Sequence, residues 1–210
     1  KRERNRTGLD IVIDEGDSAK IAGISILGNK VFSDDELKDV MELSEGSWLS
    51  FLSNDNQYAR EKLQGDIENL ESFYLDRGFL KFSLESNQVS ISRDRESIYI
   101  SFIISEGEKY IIDKVEVIGD MPLDPNIVDP ILNSQKDLTY SQAQITQIEE
   151  VFTSFLGNEG YAFASVKGQP SIDDNSLLVD LKFIVDPGKR TYARKIIFEG
   201  NEITQDEVLR

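Results

Sequence analysis

Ile26-Leu27-Gly28-Asn29 returns as Val117-Ile118-Gly119-Asp120 and again as Phe198-Glu199-Gly200-Asn201. Each copy is a strand-like run that stops at Gly followed by Asn or Asp. A second marker keeps step with it: Glu15-Gly16-Asp17, Glu106-Gly107-Glu108 and Pro187-Gly188-Lys189. Both markers recur after 91 residues and then after 81. Two separate turns holding the same two spacings define a tandem array, so one unit of it is what has to fold.

Within the first full unit, Ile21, Ile24, Ile26 and Leu27 read as a strand ending at Gly28. Ser33 and Glu36 have capping-box spacing, so a helix is expected there with Leu37, Val40 and Met41 as its apolar face. Ala59, Leu63, Ile67, Leu70 and Tyr74 form one stripe of a second helix, and Gly78 sits where its C-terminal cap belongs. Two strand-like runs follow, about 79–92 and 97–105, joined by a polar turn at Arg93–Glu96. The second unit repeats the order. Val115, Val117 and Ile118 end at Gly119, and a short helix about 126–132 contains Pro130. Ser141 caps a helix with Ile145, Ile148, Phe152 and Phe155 on one face, and strands are expected at 161–166 and 177–185. The short links at 108–113 and 189–194 make a semi-rigid string of beads the expected arrangement.

Composition excludes several functions. The formal charge is −16, from 39 acidic and 23 basic residues, which argues against nucleic acid and against an anionic lipid surface. No cysteine is present for disulfides or thiolate metal sites, and no histidine for general-base, zinc or pH-switch chemistry. No apolar run approaches the roughly 20 residues of a membrane span. Asp34-Asp35, Asp173-Asp174 and Asn54-Asp55-Asn56 lack the spacing of a calcium loop and read as turns and caps. No catalytic pattern stands out, so no enzyme activity, cofactor or metal is expected. Both ends read as cut from a longer protein.

Four stretches resemble the polypeptide-transport-associated (POTRA) module of the Omp85 family: 28–32 around Gly28-Asn29, Tyr74-Leu75-Asp76-Arg77-Gly78-Phe79, 105–110 around Glu106-Gly107, and 194–201. The resemblance covers essentially the whole chain. It implies an α+β fold of tandem β-α-α-β-β modules, each with two helices on a three-stranded mixed sheet. By its register, 1–17 is the last strand of a preceding module, 18–110 and 111–192 are complete modules, and 193–210 starts another. It further implies a periplasmic array belonging to an outer-membrane protein of a Gram-negative bacterium, ahead of a C-terminal membrane β-barrel that this chain lacks. The implied partners are unfolded outer-membrane proteins, caught by strand addition, and accessory Bam lipoproteins, with BamB at the first complete module. The alternatives are an array from another Omp85-type transporter, serving autotransporter assembly or two-partner secretion, and a passive spacer.

Side-chain parity marks one place where the first unit departs from a regular strand. Leu80, Phe82 and Leu84 are even, whereas Val89 and Ile91 are odd, and strand side chains alternate faces. One extra residue between Leu84 and Val89, a β-bulge, would return them to a common face. Gly78 to Gly107 spans 29 residues against 28 for Gly160 to Gly188, which places the extra residue in this hairpin. An ordinary break at Ser86-Asn87-Gln88, or a longer turn at Arg93, would also fit. In the family this strand is the exposed edge of the sheet, so Leu80, Lys81, Phe82, Ser83, Leu84, Glu85, Ser86, Asn87, Gln88 and Val89 form the expected partner-binding strand. Lys81, Ser83, Glu85 and Asn87 are expected on its exposed side. Four or five added backbone hydrogen bonds would give about 4–5 kcal/mol before ordering costs, which is weak, sequence-tolerant capture.

The first unit also has nine more residues than the second between its Gly28-type and Gly78-type glycines. Trp48, Leu49, Phe51 and Leu52 lie in that longer connection. They read as a satellite core folded back on the unit, or as an exposed apolar patch for a partner.

Overall fold

The computed structural model describes residues 19–49 and 57–192. They belong to two compact units that part between Lys109 and Tyr110. The flanking pieces expected at 1–17 and 193–210 lie outside the described residues, as do Phe51 and Leu52.

The first unit runs β1 (Ala19–Leu27), α1 (Asp34–Lys38), β2 (Trp48–Leu49), α2 (Gln57–Leu75), β3 (Ser83–Ile91) and β4 (Ser97–Ser105). Its sheet order is β2-β1-β4-β3, with β1 parallel to β4 and the other pairs antiparallel. The second unit runs β5 (Ile111–Gly119), α3 (Pro125–Asn133), α4 (Gln142–Asn158), β6 (Ser165–Asp173) and β7 (Leu178–Asp186), in the order β5-β7-β6. Here β5 is parallel to β7, and β6 antiparallel to it. Each unit is therefore the α+β module expected, two helices with a mixed sheet, and the first adds the two-residue β2.

The central strand of each sheet supplies the core. Ile98, Ile100, Phe102 and Ile104 of β4 are buried, as are Val179, Leu181, Phe183 and Val185 of β7. Against β4 lie Ala59, Leu70 and Tyr74 of α2, with Leu63 and Ile67 half-buried. The capping box forms: Ser33 Oγ accepts from Glu36 N–H, and Glu36 Oε2 accepts from Ser33 N–H. The helix it starts is shorter than expected, so Val40 and Met41 follow α1 rather than belong to it. On α4 the buried fourth residue is Leu156, four positions after Phe152, while Phe155 is 36% exposed. Tyr161–Ala164 form a turn, so β6 starts later than expected.

Gly28 and Gly119 explain the opening marker. Both have positive φ, +102° and +107°, and a Cβ on either would lie 2.0 or 2.2 Å from the carbonyl oxygen of Ile104 or Val185. The chain must leave the first strand hard against the parallel last strand, which only Gly permits.

The minor strand β2 has a counterpart. Ile21 N–H donates to Ser47 O and Gly46 N–H to Ile21 O; Ile112 N–H donates to Leu138 O and Asp137 N–H to Ile112 O. Gly28 to Trp48 and Gly119 to Thr139 have the same spacing, so the first unit's nine extra residues fall after Leu49 and before α2 has run its course. Trp48 itself pairs with Lys20 and is 68% exposed, which overturns its reading as satellite core. It sits at the sheet margin, with its backbone held and its ring in solvent.

Candidate protein-docking edge

Among the described residues β3 pairs only with β4 and so ends the sheet of the first unit. Its register shifts between Leu84, opposite Ile104, and Ser86, opposite Ile103, leaving Glu85 as the extra residue. This is the bulge that parity indicates. Leu84 and Val89 consequently both pack on the core. Of the ten expected residues, Leu80, Lys81 and Phe82 precede the strand. Phe79 N–H donates to Tyr74 O and Phe82 N–H to Phe79 O, which makes this stretch a turn. The Phe82 ring stacks on Tyr74 at 4.3 Å between centroids. Lys81, Ser83, Glu85 and Asn87 are all exposed, but Asn87 pairs with Phe102 and so lies on the core side of the pleat.

The bond from Ser92 N–H to Ser97 O fixes the phase of β3. Ser92, Ser90 and Gln88 direct their backbone groups to β4, so Asn87, Val89 and Ile91 direct theirs outward. The same edge of the second unit is finished differently. Registered through the central strands, Asn87 corresponds to Gly168 and Val89 to Pro170. The outward N–H of Gly168 donates to Glu149 Oε1 at 2.7 Å, and Pro170 has no N–H. The position of Glu149 is held in the first unit by Ile67, which accepts nothing. Edge β3 is thus open to strand addition where β6 is blunted.

A buried carboxylate fixes the frame beside β3. Glu106 is 6% exposed and accepts from Lys30 N–H (2.9 Å), Val31 N–H (3.1 Å) and Tyr74 Oη–H (2.9 Å). It ties the Gly28 turn, α2 and the end of β4 together. Burial, and then the Glu106 carboxylate, push the Tyr74 hydroxyl well above the ordinary tyrosine pKa, so it stays a donor. A second buried acid, Asp66, accepts from Glu42 N–H (2.6 Å) and Leu43 N–H (3.0 Å), where the chain has left the short α1. Burial raises its pKa against the pull of those two bonds. In the sequence Glu106 reads only as a repeat marker, and its structural role is missed. Asp66 is missed as well, although its signal is local: it is the one acid in an otherwise apolar helix face. Among the described residues no group of His, Cys, Asp or Glu is gathered to hold a metal ion.

Two α+β units in tandem, each with two helices and a mixed sheet, make the chain an array of repeated modules. The chain matches the POTRA family, described as surface antigen variable number repeat, over residues 19–107 and 110–188, and it belongs to that family. It is 32% identical over 211 residues to the outer membrane protein assembly factor BamA of Neisseria meningitidis serogroup B, covering 100% of this chain and 26% of that protein. It is 33% identical over 209 residues to BamA of Buchnera aphidicola, covering 99% and 34%. The chain therefore spans about a quarter to a third of the length of the curated relatives it matches. Among solved structures, the crystal structure of Haemophilus influenzae BamA POTRA3-5 is similar at a TM-score of 0.77 and 25% identity, covering 95% of this chain and 78% of that one.

Proposed function

We propose that this chain is a periplasmic docking array of a BamA-like assembly factor, and that the first unit captures unfolded outer-membrane proteins by adding their strands to β3. The observation that carries this reading is the contrast between the two sheets. The outward N–H groups of Asn87 and Val89 stand at positions where the second unit has a satisfied Gly168 and Pro170. Capture through backbone groups reads little side-chain identity, which suits many clients. The same edge, within Ser83–Ile91, would dock an accessory lipoprotein, BamB among them. The relatives' names support a place in outer-membrane protein assembly. The work of this chain is binding, not catalysis.

The test is Asn87→Pro, which removes one outward N–H from an exposed position and leaves the ladder to β4 intact. Binding of an unfolded outer-membrane β-strand peptide should weaken about tenfold, the loss of roughly 1.4 kcal/mol. The melting temperature should move by only a few degrees. Unchanged peptide and lipoprotein binding in a folded Asn87→Pro chain would support the passive-spacer alternative instead.

A further inference from the structure

The opposite edge of the second unit is open where that of the first is closed. Among the described residues β5 pairs with β7 alone, apart from the single bridge from Ile111 to Thr139. Both β1 and β5 carry a register shift six residues before their marker glycine, at Ala22 and at Asp113, so Val115 and Val117 are the counterparts of Ile24 and Ile26. In the first unit this edge is plugged. Glu45 Oε1 accepts the outward N–H of Ile24 at 3.3 Å, and Lys38 Nζ pairs with the same carboxylate at 3.2 Å. The Ile24 N–H, followed by Lys38, holds the Glu45 carboxyl below the usual glutamate range. At the matching positions the second unit has Lys136 and Asp129, with the charges reversed. A lysine cannot accept the N–H of Val115.

The wall behind this edge is thinner too. Ile24, Ile26, Phe32 and Leu37 become Val115, Val117, Leu123 and Val128, each a smaller side chain. Ile24 and Ile26 are 4% and 3% exposed, whereas Val115 and Val117 are only half-buried. Between β5 and α3 a groove of about 480 Å³ remains, lined by these four residues with Met121, Pro125 and Leu132, and with Asp129 at its lip.

We infer that β5 and this groove bind an extended partner segment in which a Lys or Arg stands between two apolar residues. Its backbone pairs with the outward groups of Val115 and Val117. The apolar side chains enter the groove, since alternate residues of an added strand share the face of the residues they pair with. The intervening basic side chain falls beside Glu116 on the other face, where opposite charges across a strand pair attract, an attraction that it shares with Lys182, the residue of β7 opposite Glu116. The exposed Asp129 adds a negative charge at the groove lip. This site is independent of the β3 edge: it lies in the other unit, on the other margin of the sheet.

The experiment uses the whole 210-residue chain. A nine-residue peptide alternating Val with Lys and Thr is titrated into isotopically labelled protein and followed by residue-resolved NMR. A second peptide carries Glu in place of Lys. Shifts at Lys114–Gly119 and along α3 are expected with the Lys peptide, and at least fivefold weaker binding with the Glu peptide. The double variant Asp129→Lys, Lys136→Glu transplants the plug of the first unit and should weaken the Lys peptide about tenfold without lowering the melting temperature. Leu123→Phe, which refills the groove, should do the same independently. Shifts confined to Ser83–Ile91, equal binding of both peptides, full binding by both variants, or concentration-dependent shifts at β5 from self-association would each overturn the inference.

Discussion

The two units share strand order, helix order, the bulge in the first strand and the two marker glycines, yet their margins are finished in opposite ways. The first unit leaves β3 open and closes β1 with Glu45 and Lys38. The second blunts β6 with Glu149 and Pro170 and leaves β5 open beside a groove. Their interiors differ in the same spirit. Glu106 and Asp66, buried and holding backbone N–H groups, have Pro187 and Ile148 as counterparts. The second unit replaces the Asp66 device with helix: α3 runs on to Asn133, and Ser134 N–H is satisfied by Pro130 O. A repeat can thus hold its fold constant while a few side chains decide which edge is available.

The largest expected effect breaks both units alike. Gly28→Ala and Gly119→Ala each force a Cβ against a carbonyl oxygen at positive φ and should each cost about 3 kcal/mol or more. Hydrogen exchange should report the loss in the substituted unit only. Equal tolerance of both substitutions would contradict the close strand approach that defines the module. The next effect separates the units. Glu106→Ala strands three donors and should destabilise the first unit by about 3 kcal/mol, whereas Pro187→Ala in the second should cost less than about 1 kcal/mol. Denaturant melts read unit by unit would measure the gap.

The smallest effect is a dependence on pH. The folded-state pKa of Asp66 is raised, so the folded state binds more protons than the unfolded chain between the ordinary aspartate value and the raised one. The contribution of Asp66 to stability is then full below that window and falls as pH rises through it. The advantage of the wild type over Asp66→Asn in the first unit should accordingly shrink from acid toward neutral pH. The second unit, with Ile148 there, should show no such change. A growing advantage toward neutral pH would reverse the sign assigned to burial.

Parity of apolar residues makes the Glu85 bulge legible from the order of side chains alone. The same signal lies in β1, where Ile21 is odd and Ile24 and Ile26 are even, and in β5, where Ile112 is even and Val115 and Val117 are odd. It is missed there because each run is apolar enough to pass for a strand without it. Helix α2 and the capping box at Ser33 are legible because their information is local. The closure of edges is not, since Glu149 reaches Gly168 and Glu45 reaches Ile24 from distant parts of the chain. Pro170 is the local half of that signal. Trp48 misleads because its neighbours are apolar, although a two-residue strand at a sheet margin holds backbone without covering a ring.

The bulge at Glu85 has a kinetic consequence. It divides β3 into two hydrogen-bonding phases, so a partner strand in step with Asn87–Ile91 is out of step with Ser83–Leu84. On the proposed reading the footprint is short, and the barrier to release is set by a few bonds rather than by the whole strand. On that proposal such an edge would work as a slipping clutch, engaging a chain through its backbone and letting go before the chain can settle.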